Sequence, residues 1–335
     1  MEFLTDFFTT FVSKLQSPTL GFLIGGLVVA SLGSRLAIPE AAYNFIVFML
    51  LMKVGLSGGT AIRSANLSEM LLPAAFAVAL GIFIVVLGRQ TLARLPNVIP
   101  VDAIATAGLF GAVSGSTLAA SLTLLEGQGI SYEPWAAALY PFMDIPALVT
   151  AIVLGSVYVN KDRSSKGEGV QIWPIVKESL QGSALSALLL GVALGLFTNP
   201  ERVYESFFDP LFRGLLSVLM LVMGLEAAAR LRELRKVAQW YAVYAVVAPL
   251  VHGFLGFGLG MIAHYTTGFS LGGVVILATI AASSSDISGP PTLRAGLPNA
   301  NPSAYIGSST AIGTPIAIAI GIPLFIALAQ TLGAT

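Results

Sequence analysis

"AASSSDISGPPT" (281–292) follows the apolar run "LGGVVILATI" (271–280). Three serines, an aspartate, a glycine and two prolines here continue a segment otherwise greasy enough to lie in lipid. In hydrocarbon each unsatisfied backbone group costs several kcal/mol, and a carboxylate at a helix centre costs roughly 2.5–3.5 kcal/mol on insertion scales. Pro290 and Pro291 lack N–H donors and crowd the preceding turn, and Gly289 lets the chain turn just before them. The spacing predicts a helix that stops near Ser288 and resumes at Pro290, with proline at the first helical position. A helix broken inside a membrane has to line a site.

The rest of the chain fits that reading. Of its 335 residues 56% are hydrophobic and 10% charged, against about 25% charged in soluble domains. The formal net charge is zero, which gives nucleic acid nothing to bind, and there are no cysteines to form disulfides, thiolate metal sites or nucleophiles. Apolar stretches long enough to span recur at 18–34, 40–57, 69–93, 101–126, 134–159, 172–197, 206–230, 236–264, 269–296 and 302–332. The expected fold is therefore an all-α polytopic membrane protein with about ten transmembrane helices in contact with membrane lipid. The first residues, "MEFLTDFFTTFVSKLQSP", carry Glu2 and Asp6 where a signal peptide is basic, and read as a short interfacial helix.

The polar stretch "NKDRSSKGEGVQ" (160–171) divides the chain into 1–159 and 172–335, five spans each. With an odd number of spans, two halves of one fold have to be inverted relative to each other, as in many secondary transporters. Weak internal similarity agrees. "GLFGAVSGSTLAAS" (108–121) matches "ILATIAASSSDISGPPT" (276–292), and "YPFMDIPALVTAIVL" (140–154) matches "STAIGTPIAIAIGIPL" (309–324). One offset of 169 residues superposes Ser114 on Ser283 and Pro146 on Pro315. Twelve Lys and Arg fall on the side of the odd-numbered connections and four on the other, with Lys53 inside a span. The positive-inside rule then puts both termini outside and the 160–171 loop in the cytoplasm.

Helix four is expected to break at "AVSGSTLAAS", where Gly115 loosens the helix and Ser114, Ser116 and Thr117 satisfy freed backbone groups. The N-terminal ends of the second half-helices offer N–H groups and positive dipole to an anion. Unwound carbonyls and the C-terminal ends of the first halves offer oxygen to a cation. No Lys or Arg is near either break, so the anion would be small and held by neutral donors. Close packing of small residues is the alternative for "GAVSGST". Asp144, between Pro141 and Pro146, and Asp286, in the break itself, are functional candidates at membrane depth, or else caps for a half-helix. Glu226 is spaced to pair with Arg230, Lys53 to snorkel or pair locally, and His252 to pack. Neither a G-x-S-x-G elbow nor a nucleotide loop nor a zinc motif is present, so an enzyme is not expected and coupling has to come from an ion gradient.

"QSPTLGFLIGG" (16–26), "GLFGAVSGSTLAAS", "ALYPFMDIPALVTAIV" (138–153), "DPLFRGLLSVLMLVMGLEA" (209–227), "LRKVAQWY" (234–241) and "AASSSDISGPPTLRAGLPNANPSAYIG" (281–307) carry a resemblance to the SbtA family of cyanobacterial sodium-dependent bicarbonate transporters. The central loop is shorter than is general in that family. The resemblance implies Na⁺/bicarbonate symport into the cell across the plasma membrane, serving the carbon-concentrating mechanism. It also implies a homotrimer, a core domain moving against a gate domain, and a PII-like regulator, SbtB, on the cytoplasmic face. Combined with the breaks, it assigns bicarbonate to Ser114, Gly115, Ser116, Thr117, Ser288, Gly289 and Thr292. It assigns Na⁺, the coupling ion, to Asp144, Ser283, Ser284, Ser285, Asp286 and Thr314, with no cofactor. Another ion-coupled small-anion symporter and a Na⁺/H⁺ antiporter of similar architecture stay open as alternatives.

Overall fold

Apolar sequence with no water to satisfy its backbone has to bond within itself, and the protein does so through helices. The structure, a computed structural model, describes residues 18–64, 67–160, 183–234, 239–286 and 289–333, with Trp173, Lys177 and Gln181. The expected interfacial helix, most of the 160–171 loop and the first part of the sixth segment lie outside the described residues. Among those described, all regular structure is helical.

The first segments form α1 (Pro18–Ser31), α2 (Glu40–Ser64) and α3 (Leu67–Thr91). The fourth is two helices, α4 (Pro100–Gly111) and α5 (Gly115–Gly127). A 3-10 turn at Pro134–Leu139 leads into α6 (Tyr140–Asn160), followed by α7 (Ser183–Phe197), α8 (Asp209–Leu234) and α9 (Gln239–Thr267). The ninth segment is again two helices, α10 (Leu271–Ala282) and α11 (Gly289–Gly296), and the last is α12 (Pro302–Gly333). Each of the ten expected segments contains helix among its described residues, and seven are long and apolar enough to cross a membrane. The fourth is buried throughout inside the protein, which shields its exposed backbone from lipid.

The helices sort into two packing groups. α2 packs along α7 and α1 along α8, with α2 against α8; α3, α4 and α6 pack on one another, as do α9, α10 and α12. The third and eighth spans, α3 and α9, therefore pack on the broken helices. Glycine decides the first group, because lipid tails supply no hydrophobic drive between helices and contact requires close backbones. A Cβ on Gly26 would sit 2.2 Å from the Leu221 carbonyl oxygen, and one on Gly224 2.1 Å from that of Leu23. At the other interface a Cβ on Gly191 would sit 2.8 Å from the Met52 oxygen, and one on Gly195 2.3 Å from that of Leu56.

Two helices depart from regular α geometry. Pro146 lies inside α6 and Pro315 inside α12, where neither can donate to the carbonyl one turn earlier. Around Pro315 the chain widens into π turns at Ser309–Gly313 and Ala317–Gly321. Such widenings are frequent at functional sites.

Overpacking at the α1–α8 interface gives a stability test. Gly224→Ala forces a methyl into the Leu23 backbone and should destabilise by about 1–3 kcal/mol. Gly214→Ala meets nothing within 4 Å and should leave thermal unfolding in detergent unchanged.

Candidate functional site

The two breaks meet. Serine hydroxyls compete with the backbone for its own hydrogen bonds, and the run Ser283–Ser285 ends α10 that way. The Ser283 hydroxyl donates to the Ile280 carbonyl at 2.8 Å, and the helix ends at Ala282. This corrects the expected stop near Ser288: serine competition acts first and the prolines only set the restart. Helix α11 begins at Gly289, whose N–H donates to the Ser285 hydroxyl at 2.9 Å. A Cβ on Gly289 would lie 2.8 Å from the Ser285 Cβ and 2.5 Å from the tip of Leu109, so glycine lets the restart pack closely on the end of the first half. Ser288 lies outside the described residues.

The fourth segment opens at 112–114, just before Gly115, which is the first residue of α5. Ser114 caps α5 by accepting from the Thr117 N–H at 3.1 Å and the Thr117 hydroxyl at 3.0 Å. Across to the other break, the Ser114 N–H donates to the Ser283 hydroxyl at 3.1 Å, and the Ser285 N–H donates to the Leu109 carbonyl at 2.9 Å. Each break thus satisfies backbone groups of the other, and the residues paired by the 169-residue offset touch directly.

Both acids bond to this crossing. Asp144 is fully buried, and its Oδ1 accepts the Val113 N–H at 2.9 Å while its Oδ2 has no hydrogen-bond partner. A buried carboxylate oxygen without a donor is a ready ligand for a cation or a proton. Asp286 Oδ2 accepts from the Ser116 hydroxyl at 2.6 Å and from the Tyr43 hydroxyl at 3.3 Å, and Ser116 is 2.8 Å from Ser114. Behind Asp286 the Ser309 hydroxyl donates to Ser284 at 2.8 Å, and Ser284 lies 3.3 Å from the Thr314 hydroxyl. Thr292 is buried as well. Among the described residues no three His, Asp or Glu side chains gather, so hydroxyls and carbonyls dominate the available oxygen.

A cavity of about 440 Å³ runs from Asp286 and Tyr43 past Glu226 and Thr310 to the exposed Glu40 and Arg294. Glu226, expected to pair with Arg230, lines this cavity, and the Arg230 side chain lies outside the described residues. Lys53 does not pair locally: it reaches Glu126, 73 residues away, at 3.0 Å. His252 is packed, 1% exposed and edge-on to Tyr244 with ring centres 6.2 Å apart, but its Nδ1 is buried without a hydrogen-bond partner.

Reading along the chain missed Tyr43 and Ser309. Tyr43 lies in the first turns of α2, 243 residues from the Asp286 carboxylate, and no local pattern marks it. Ser309 carried a signal in "SSTAIGTP" (308–315), where hydroxyls precede the proline that matches Pro146.

Buried hydroxyls and carboxylates at two facing helix breaks, beside a cavity in a bundle of apolar helices, define a multi-pass membrane protein of the transporter class. The chain belongs to the Na⁺-dependent bicarbonate transporter superfamily, which its sequence matches over residues 18–330. No curated protein matches the chain. The family implies bicarbonate and Na⁺ as the transported substrates and supports Na⁺ as the coupling ion.

Ser283→Ala removes the acceptor of the Ser114 N–H and leaves that group buried and unpaired. It should lower stability in denaturant by about 1–3 kcal/mol. Ser217→Ala, whose hydroxyl bonds only its own helix at an exposed position, is the control and should change little.

Proposed function

We propose that the protein carries bicarbonate into the cell together with Na⁺, as a symporter working by alternating access. The single observation that carries the site assignment is the crossing of the two breaks, with the unpartnered Asp144 Oδ2 beside it. Na⁺ is held by Asp144, Asp286 and the hydroxyls of Ser283, Ser284, Ser285 and Thr314. Bicarbonate, a small planar anion with one donor and several acceptor oxygens, is assigned to Ser114, Gly115, Ser116, Thr117, Ser288, Gly289 and Thr292, through hydroxyls and the N–H groups of α5 ahead of Thr117, since the N–H groups of Ser114, Thr117 and Gly289 already donate to Ser283, Ser114 and Ser285.

The two ligand sets are not separate in space, because the Ser116 hydroxyl bonds Asp286 at 2.6 Å. When Na⁺ neutralises Asp286, that hydroxyl is released to donate to the anion. The first N–H groups of α5 have no intrahelical acceptors and face the same place. Each ligand therefore raises the affinity of the other, and by linkage the two factors are equal.

Inverted halves, 1–159 and 172–335 around the 160–171 linker, are the architecture we assign, with ten spans in all. Two mirrored interfaces support it. First span meets seventh at Gly26 and Gly224, and second meets sixth at Gly55, Gly59, Gly191 and Gly195. In the mechanism the first, second, sixth and seventh spans form the gate, and the others form the core that carries the ligands past it. We place the protein in the cyanobacterial plasma membrane, with the 160–171 loop in the cytoplasm and both termini outside. The Lys/Arg count then puts the mouth of the cavity, at Glu40 and Arg294, on the cytoplasmic side. A homotrimeric assembly and control by the PII-like SbtB at that face complete the reading, which rests there on the family resemblance.

Uptake of radiolabelled bicarbonate into proteoliposomes should be saturable with external Na⁺ and absent with K⁺. Asp144→Asn keeps an oxygen for the Val113 N–H, so it should fold and lose the Na⁺ dependence; Asp286→Asn should do the same. Wild-type uptake that ignores Na⁺, or folded variants with unchanged Na⁺ dependence, would refute the assignment.

A further inference from the structure

Lys53 is a charge in the wrong place for a lipid-embedded helix. It is 4% exposed, yet lies in the middle of α2. Its Nζ is 3.0 Å from Glu126 Oε1 and 3.4 Å from Asp209 Oδ1, and it sits over the Phe212 ring, 4.3 Å from its centre. The Tyr132 hydroxyl donates to the same Glu126 oxygen at 2.8 Å.

These partners divide between the two packing groups. Asp209 and Phe212 are on α8, which packs with α2. Glu126 is in the last turn of α5, the second half of the broken fourth segment, and Tyr132 is in the loop that follows. Lys53 lies ten residues beyond Tyr43, about 15 Å further along α2, on the side away from Glu40 and the cavity mouth. One end of the path between the groups is thus open, and an ion pair bridges them towards the other.

We propose that Lys53, Glu126 and Asp209 form the gate at the end opposite the cavity, with Lys53 exchanging two carboxylates for one as that end opens. The inference rests on the alternating-access reading. A buried ammonium stripped of its only carboxylate would cost several kcal/mol, enough to hold such a gate shut. Here neither charge is orphaned. As the groups part, Lys53 keeps Asp209, already half exposed, and the face of Phe212. Glu126 keeps the Tyr132 hydroxyl. Burial, and then the Glu126 carboxylate, raise the Tyr132 phenol above its ordinary pKa, so it remains a donor at any physiological pH. The closed arrangement is favoured by one desolvated pair, and the open one is not forbidden.

A static staple would use the same residues, and the sign of single changes separates the two. Glu126→Gln weakens the bridge between groups and should ease opening. Asp209→Asn and Tyr132→Phe leave that bridge but remove what each charge falls back on, so they should hinder opening. The natural absence of cysteine supplies the probe. A cysteine introduced at buried Ala137, in the turn packed on α2, is treated with a membrane-impermeant maleimide in proteoliposomes. Labelling should be several-fold faster in Glu126→Gln and slower than the parent in Asp209→Asn and Tyr132→Phe. Changes of one sign in all three, or no change, would overturn the gate. Should Glu126→Gln fail to fold, the milder Tyr132→Phe decides alone: unchanged or faster labelling overturns the proposal. Labelling needs neither Na⁺ nor bicarbonate, so failure here is distinct from failure of the uptake experiment.

Discussion

Two hydrogen bonds between helix breaks carry the centre of this protein: Ser114 N–H to the Ser283 hydroxyl and Ser285 N–H to the Leu109 carbonyl. An open backbone inside an apolar bundle is tolerable only where its polar groups find partners. Here each break supplies partners to the other, so neither could exist alone at that depth. Gly289 clears the Leu109 side chain, Ser114 caps α5, Asp144 takes the Val113 N–H, and the fourth segment is wrapped entirely in protein. What remains at the crossing is what the proposed symport uses to bind: one carboxylate oxygen without a donor, the N–H groups of α5 ahead of Thr117, and hydroxyls able to turn either way.

In the proposed symport that construction couples two ligands of opposite charge without any Lys or Arg at the breaks. A small anion beside Asp286 would be repelled while the carboxylate is bare, and a cation bound there reverses the sign of the local field. The Ser116 hydroxyl links the two events because it donates to Asp286. Tyr43 adds a tie from the gate-side helix α2 to the same carboxylate, so occupancy of the site and contact between the helix groups share an oxygen atom. Movement of one group past the other has to break that tie.

Much of this was legible in the sequence, and the limits have physical causes. Spans are written in hydropathy, because lipid imposes length and apolarity on each locally; each of the ten expected segments contains helix among its described residues, and seven helices are long and apolar enough to span. The existence of both breaks was legible in Gly115, Asp286, Pro290 and Pro291. The end of α10 was misplaced because prolines are the louder signal, whereas the Ser283 hydroxyl, seven residues before Pro290, had already drawn the hydrogen bond away. Tyr43 with Asp286, and Lys53 with Glu126, were out of reach: each pair is made by folding distant segments together, and neither residue's neighbours announce it. Glu226 illustrates the same limit: its i,i+4 spacing to Arg230 marks a possible pair on one helix, but says nothing of the cavity that the neighbouring helices place beside it.

Joint occupancy of the crossing by Na⁺ and bicarbonate is the central claim, and calorimetric titration of the purified protein tests it most directly. Na⁺ affinity measured with and without bicarbonate, and bicarbonate affinity measured with and without Na⁺, should each rise, and by the same factor. Affinities that do not depend on the other ligand would contradict a shared site, however tightly either one binds.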